Sequence, residues 1–224
     1  MRQPLLDRAL AWGLRGTVLL AQEGVNLFLA GQPEGVRAWL SALRSDPRLA
    51  PLQAKESWSD TQPFGHMRIK VKSEIIRMNH PTIRPALQRA PAIAPETVRR
   101  WLDQGCDDAG RDVVTLDTRN AFEVDYGSFK GALDWRLDKF SDFPKAAREH
   151  LEELRGKTVI SYCTGGIRCE KASIYLNSLG LDSVFQIEGG ILKYFEEVGH
   201  AHYEGDCFVF DEREALHSDL SAAK

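Results

Sequence analysis

The chain has 224 residues, enough for two modest domains with cores of their own. Its 43% apolar and 27% charged content is that of a soluble globular protein, and no apolar run approaches a membrane span in length. Asp7, Arg8 and Arg15 interrupt any leader-like stretch at the start. Four cysteines, at 106, 163, 169 and 207, are too few and too scattered for a disulfide framework, so a reduced, cytoplasmic setting without a membrane partner is expected.

Charge is divided unevenly along the chain. Residues 1–95 carry 13 Lys+Arg against 7 Asp+Glu, a balance of +6, whereas residues 96–224 carry 16 against 25, a balance of −9. This asymmetry fits an N-terminal half that meets a polyanion, or two domains that simply differ in charge.

Residues 1–15 read as the back end of a helix, with Leu5, Leu6, Leu10 and Leu14 near helical spacing. Strands follow at 16–21 and 24–30, joined by a tight turn at Gln22-Glu23. Residues 33–43 form a predicted helix with Val36, Trp39, Leu40 and Leu43 on one face. Residues 67–72 alternate strictly, which predicts a strand with one wet, basic face made of Arg68, Lys70 and Lys72. Together these elements describe a small α+β domain over 1–78, and the three basic residues are its candidates for RNA phosphate contact. Pro81, Pro85, Pro91 and Pro95 make 79–95 an expected linker that wraps rather than dangles.

From residue 96 helices and strands alternate, the pattern of a parallel sheet flanked by helices. A helix at 96–104 leads to the strand 113–117, a charged stretch with Asp117, Arg119 and Glu123, and a glycine-bounded loop at 127–131. A helix at 144–154, a strand at 157–162, a helix at 170–179 and a strand at 183–187 follow, and Gly189-Gly190 opens the last helix. This second domain is expected over 96–200, with a C-terminal extension over 201–224.

The chemistry is concentrated in Cys163-Thr164-Gly165-Gly166-Ile167-Arg168. The cysteine stands where a buried strand gives way to a tight loop and then a helix. Such a loop turns several N–H groups inward, the helix N-terminus adds partial positive charge, and Arg168 supplies a permanent cation. All three favour thiolate, which makes Cys163 the candidate nucleophile and residues 164–168 the candidate anion-binding loop. Cys169 follows directly, either as a resolving thiol or as a small residue packed into the first helical turn. Asp117, Arg119 and Glu123 read as a charge cluster bracing loops near the site. Gly189-Gly190 either lines the pocket with backbone or is a plain turn. Cys106 and Cys207 read as structural. His200 and His202 lack further ligands, so no metal is expected, and no flavin, haem or iron motif is present.

The Cys-x4-Arg spacing is one residue shorter than the Cys-x5-Arg loop of cysteine phosphatases, and a smaller ring suits a smaller guest such as the outer sulfur of a persulfide. The loop resembles the active-site loop of rhodanese domains. That resemblance implies attack of a Cys163 thiolate on a sulfane sulfur donor and transfer from the resulting persulfide. A non-catalytic module that recognises an anion or RNA is a third reading, opposed by the retained cysteine and arginine.

Further segments narrow the resemblance. Residues 16–26, the strand ending in Val71-Lys72, residues 163–172, residues 188–194 and residues 207–213 are similar to the tRNA uridine hydroxylase family over nearly the whole chain. The resemblance implies a rhodanese-like α/β domain preceded by a small ferredoxin-like (acylphosphatase-like) α+β domain. It also implies tRNA as partner, molecular oxygen as co-substrate, conversion of the wobble uridine to 5-hydroxyuridine, and Cys163 as the essential cysteine. Members usually begin with one more strand, so the N-terminal sheet is expected to lack its first strand. Many continue into a Cys-x-x-Cys tail that does not follow Arg213 here.

Overall fold

The computed structural model describes residues 2–223. The chain divides into two compact units, Met1–Ile75 and Ile76–Lys224.

The first unit runs α1 (Arg2–Ala11), β1 (Arg15–Ala21), β2 (Gly24–Ala30), α2 (Pro33–Arg44) and β3 (Met67–Val71). β1 lies in the middle of the sheet, antiparallel to β2 and parallel to β3. Its alternation sends Val18 and Leu20 inward, where they join Ile69, Trp39, Leu43, Leu5 and Ala9 in one core. Trp39 is buried with its indole N–H donating to the Leu5 carbonyl at 2.9 Å. The expected helix over 1–15 is corrected at its end: α1 stops at Ala11, Leu10 is exposed, and Leu14 reaches the core from beyond the helix. Gly13, at φ +63°, makes the turn that allows this.

The second unit is built on a five-stranded parallel sheet in the order β4-β9-β8-β5-β7. The strands are β4 (Ala92–Ile93), β5 (Val113–Asp117), β7 (Leu133–Asp134), β8 (Thr158–Tyr162) and β9 (Val184–Ile187). Between β4 and β5 lies α3 (Pro95–Gln104). After β5 come α4 (Ala121–Val124) and β6 (Gly127–Phe129); α5 (Phe143–Glu149) and α6 (Leu151–Leu154) precede β8; α7 (Ile167–Ser178) and α8 (Gly190–Val198) flank β9. Central β8 is buried at all five positions, as a parallel strand covered on both faces must be. Val159 packs on one side with Leu116, Phe143, Ala172 and Leu176, while Ile160 and Tyr162 pack on the other with Trp101, Ile191 and Tyr194.

Part of the stretch expected as a linker is tied into this unit. Ile83 and Ala90 are buried in its core, and Ala92–Ile93 pairs with β9 as an edge strand. The prolines exclude a helix but leave room for this edge pairing. The helix expected over 144–154 is two short ones broken at His150, and the 127–131 loop contains β6. The C-terminal segment forms β10 (Tyr203–Gly205), which pairs with β6, and a hairpin of β11 (Cys207–Phe208) and β12 (Ala215–Leu216).

Candidate active site

Three neighbouring strands end at the same edge of the sheet, and each delivers part of the site. β8 ends in Cys163, β5 in Asp117-Thr118-Arg119, and β9 in Glu188-Gly189-Gly190. The carboxyl ends of an open parallel sheet are where side chains from separate strands can converge.

Cys163 is 2% exposed, Thr164 is buried and Gly165 is exposed. Gly166 turns the chain at φ +94°, so α7 begins at Ile167 and not at the expected residue 170. Arg168 and Cys169 therefore belong to the first helical turn, whose N–H groups have no partner within the helix and face back toward the loop. The Gly166 N–H donates to Cys163 Sγ at 3.1 Å. Burial alone pushes the Cys163 thiol up. A hydrogen bond with the Cys169 thiol, the Arg168 guanidinium and the N–H groups of Cys169 and Arg168 outweigh it and bring the thiol down to about 5. Cys169 moves the opposite way, because it is buried and would place a second negative charge beside the first. Its Sγ lies 3.4 Å from Thr118 Oγ1. Cys207 is also buried, which pushes its thiol up to about 12. Cys106 is half-buried on the Asp112 bridge before β5.

The loop is shaped from behind by α8. The N–H groups of Ile191 and Leu192 donate to the carbonyls of Cys163 and Thr164, at 2.9 and 3.1 Å. With these carbonyls held outward, the loop amides are free to face the sulfur. Gly190 makes the approach possible. It sits at φ +68°, and a Cβ there would fall on the carbonyl oxygens of Cys163 and Thr164. Of the two readings open for Gly189-Gly190, contact with the loop is the one observed.

Arg168 is buried, and its two terminal nitrogens grip the two carboxylate oxygens of Glu123, at 2.5 and 2.7 Å. Glu123 is fully buried and also accepts the Asn120 N–H at 3.0 Å. Arg119 is fully buried against Asp117, with contacts of 3.0 and 2.6 Å, and donates to the carbonyls of Glu123 and Gly127. One arginine thus holds the backbone of the α4 turn while the other holds its carboxylate. Sequence reasoning grouped Asp117, Arg119 and Glu123 but did not identify Glu123 as the Arg168 counter-ion. The Asn-x-x-Glu start of α4 was the available sign, because it buries the glutamate at a helix end beside the site. Thr164 Oγ1 donates to the Phe208 carbonyl at 3.4 Å, which brings the C-terminal segment to the loop, a contact with no signal in the sequence.

Other candidates belong to other parts of the chain. Arg68 and Lys70 lie on the first unit, exposed on β3, whereas the strand ends at Val71, itself exposed, so Lys72 stands exposed just beyond it and not on the expected strand over 67–72. His202 pairs with Asp103 at 2.6 Å, and no group of three metal-ligating side chains occurs among the described residues.

Comparison with known proteins adds the lineage. Residues 1–75 match the model of the UPF0176 acylphosphatase-like domain, and residues 95–197 that of the Rhodanese-like domain. Proteins named tRNA uridine(34) hydroxylase are similar over almost the whole chain. The one from Variovorax paradoxus is 61% identical over 99% of this chain and 84% of its own, and that from Delftia acidovorans has the same three values. The Bordetella avium protein is 60% identical over 96% of this chain and 89% of its own. With an acylphosphatase-like domain, a rhodanese-like domain and this identity end to end, the chain belongs to the tRNA uridine(34) hydroxylase family.

Proposed function

We propose that the protein hydroxylates uridine 34 of tRNA at C5, using Cys163 as nucleophile and molecular oxygen as co-substrate. The carrying observation is the setting of Cys163: it is buried at the end of β8, accepts the Gly166 N–H on its sulfur and lies within the field of Arg168, an arrangement that favours thiolate. C6 of uracil is the electrophilic end of a conjugated enone. Addition of a soft thiolate there would leave C5 electron-rich and able to take oxygen. One atom of O2 would go to C5 and the other would leave as water, with two electrons and two protons drawn from a reductant such as a dithiol; loss of the C5 proton and expulsion of the thiolate from C6 would then restore the C5–C6 double bond and free Cys163. Thr164, Gly165, Gly166 and Ile167 supply the amide ring. Arg168 supplies the charge that keeps the sulfur ionised, and Cys169, with Asp117 and Arg119, holds the surroundings in place. The protein works in the cytoplasm, where tRNA and reducing equivalents coexist.

The RNA backbone is assigned to the open sheet face of the first unit. Arg68 and Lys70 stand opposite Thr17 and Leu19 of β1, and Phe28 stands on the other side of Thr17. Phe28 is half exposed, so this face combines cations with an aromatic ring, the pairing that single-stranded RNA favours.

A second reading, a sulfurtransferase that forms a Cys163 persulfide, is favoured by the short loop and the rhodanese-like domain. The nucleoside decides between them. With oxygen-18 gas supplied, a strain carrying Cys163→Ala should lose labelled 5-hydroxyuridine and keep its thiolated bases. Loss of a thiolated base with hydroxyuridine intact would promote the sulfurtransferase, and loss of neither would leave only RNA binding.

A further inference from the structure

Beside the Cys163 loop lies a surface with no role in the chemistry above. Phe208 in β11 is a half-buried hub for three other rings. Phe122 meets it at 5.2 Å between centroids, Tyr126 at 5.1 Å and Phe210 at 5.0 Å. The outer rings remain 46%, 39% and 63% exposed. Solvent-facing aromatic rings gathered edge to face around one hub in this way are costly to leave bare, and they mark a contact surface.

Two bonds tie the patch to the candidate active site. The Phe208 carbonyl accepts the Thr164 hydroxyl, and Phe122 precedes Glu123, whose carboxylate holds Arg168. Two ion pairs flank the patch. Asp125, next to Tyr126, pairs with Arg136, and Asp211, next to Phe210, pairs with Arg213. With Arg136 and Arg213 already paired, what this surface offers is aromatic area for a base.

The target chemistry creates the need for that area. A sulfur 2% exposed cannot reach uracil within a stacked anticodon loop, so the uridine must be drawn out and its neighbour loses a stacking partner. We propose that Phe122, Tyr126 and Phe210, mounted on Phe208, form a stacking platform for the nucleotide that flanks the target uridine. The inference rests on the RNA-modifying reading and adds how that RNA is held open at the site. Stacking of this kind tolerates any base, because every base has a π-face.

The test uses the full chain and a stem-loop RNA with the target uridine in its loop and 2-aminopurine on its 3′ side. Wild-type protein should bind it and quench the 2-aminopurine fluorescence. Phe210→Leu and Phe122→Leu should each weaken binding about 5- to 150-fold, abolish part of the quench and leave the salt dependence unchanged. Phe210→Trp should restore both affinity and quench, which a merely structural ring would not require. Thermal melting of the leucine variants checks folding, and the tryptophan variant keeps the question open to refutation if they melt early. Wild-type affinity and quench in both leucine variants would overturn the platform alone. The same holds if Phe210→Leu changes the oligomeric state, with RNA affinity intact. Failure of the wild-type protein to bind the stem-loop would overturn the RNA reading as well.

Discussion

The Glu123–Arg168 pair gives the sharpest quantitative test, because its two halves should act alike on stability and oppositely on the thiol. Arg168→Met leaves the Glu123 carboxylate fully buried with only the Asn120 N–H for company. Removing one partner of a buried ion pair costs about 3–5 kcal/mol. At about 2–4 °C per kcal/mol for a chain of this length, the melting midpoint should fall by roughly 6–20 °C. The same change removes a cation from beside Cys163 while its burial persists. An opposite charge at close range lowers a pKa by about 1–3, so the alkylation midpoint should rise from about 5 to roughly 6–8. At pH 6 the iodoacetamide labelling rate at Cys163 should then drop roughly 2- to 100-fold. Glu123→Gln should also lower the melting midpoint, but it removes a negative charge and should leave the Cys163 midpoint at or below about 5. Arg168→Lys keeps the charge and loses the fork, so one charge-assisted hydrogen bond worth about 1.5–3 kcal/mol goes, with activity impaired but the thiol still ionised. Labelling by peptide mapping and calorimetric melting read both quantities. If Arg168→Met left the melting midpoint and the labelling profile at wild-type values, the pair would have neither role.

Further outcomes follow from the same geometry. Cys163 should be alkylated first among the four cysteines, with a rate that rises through about pH 5 instead of the usual ~8.5; faster labelling of Cys106 or Cys207 at neutral pH would overturn its assignment. Because the folded thiol is depressed below its unfolded value, its stabilising contribution is complete above ~8.5 and is lost as pH falls through about 5. Wild type should therefore lose more stability than Cys163→Ala across that window, as denaturant melts at several pH values would show. Gly190→Ala should cost about 2–6 kcal/mol, from a side chain at positive φ and a clash with loop carbonyls, and should slow Cys163 labelling at pH 7; a melt within a degree of wild type would refute the packing argument. Replacing Arg68, Lys70 and Lys72 together should flatten the log–log salt dependence of tRNA binding by roughly 0.7–0.9 per lost phosphate contact, and an unchanged slope would move the RNA backbone elsewhere.

Most of the second unit could be read from residue pattern because its elements carry local signals. The buried run at 158–162, the glycines at 165 and 166 and the Cys-x4-Arg spacing locate the strand, the turn and the site with no knowledge of their neighbours. Helix ends were harder. α7 begins three residues earlier than expected, since Gly166 alone turns the chain and nothing in Ile167-Arg168-Cys169 marks a cap. The α1 face was misplaced for a related reason: Leu10 continues the leucine spacing, yet Ala9 is the residue that faces the sheet. What no local pattern could show is contact across sequence distance. The Arg168 counter-ion is 45 residues away, and the Phe208 carbonyl on Thr164 comes from 44 residues downstream. Both depend on how strand ends and the C-terminal segment converge, which is a property of the assembled sheet.

The convergence also explains why so much charge is buried at one edge. Arg119, Asp117, Arg168 and Glu123 are all buried, and apolar side chains of similar volume would serve stability about as well. Stability is therefore a poor reason for the cluster. Its geometry points to a different requirement. Arg119 is fixed by Asp117 and reaches the backbone of Glu123 and Gly127, so it sets where α4 lies. α4 sets the Glu123 carboxylate, the carboxylate sets the plane of the Arg168 guanidinium, and that cation lies beside the sulfur. A lone arginine beside Cys163 would ionise it but would be free to pair with the thiolate or leave. Tethered at both terminal nitrogens, Arg168 is committed to Glu123 and acts on the sulfur through its field, the arrangement that the proposed nucleophile would need to stay both ionised and available to attack.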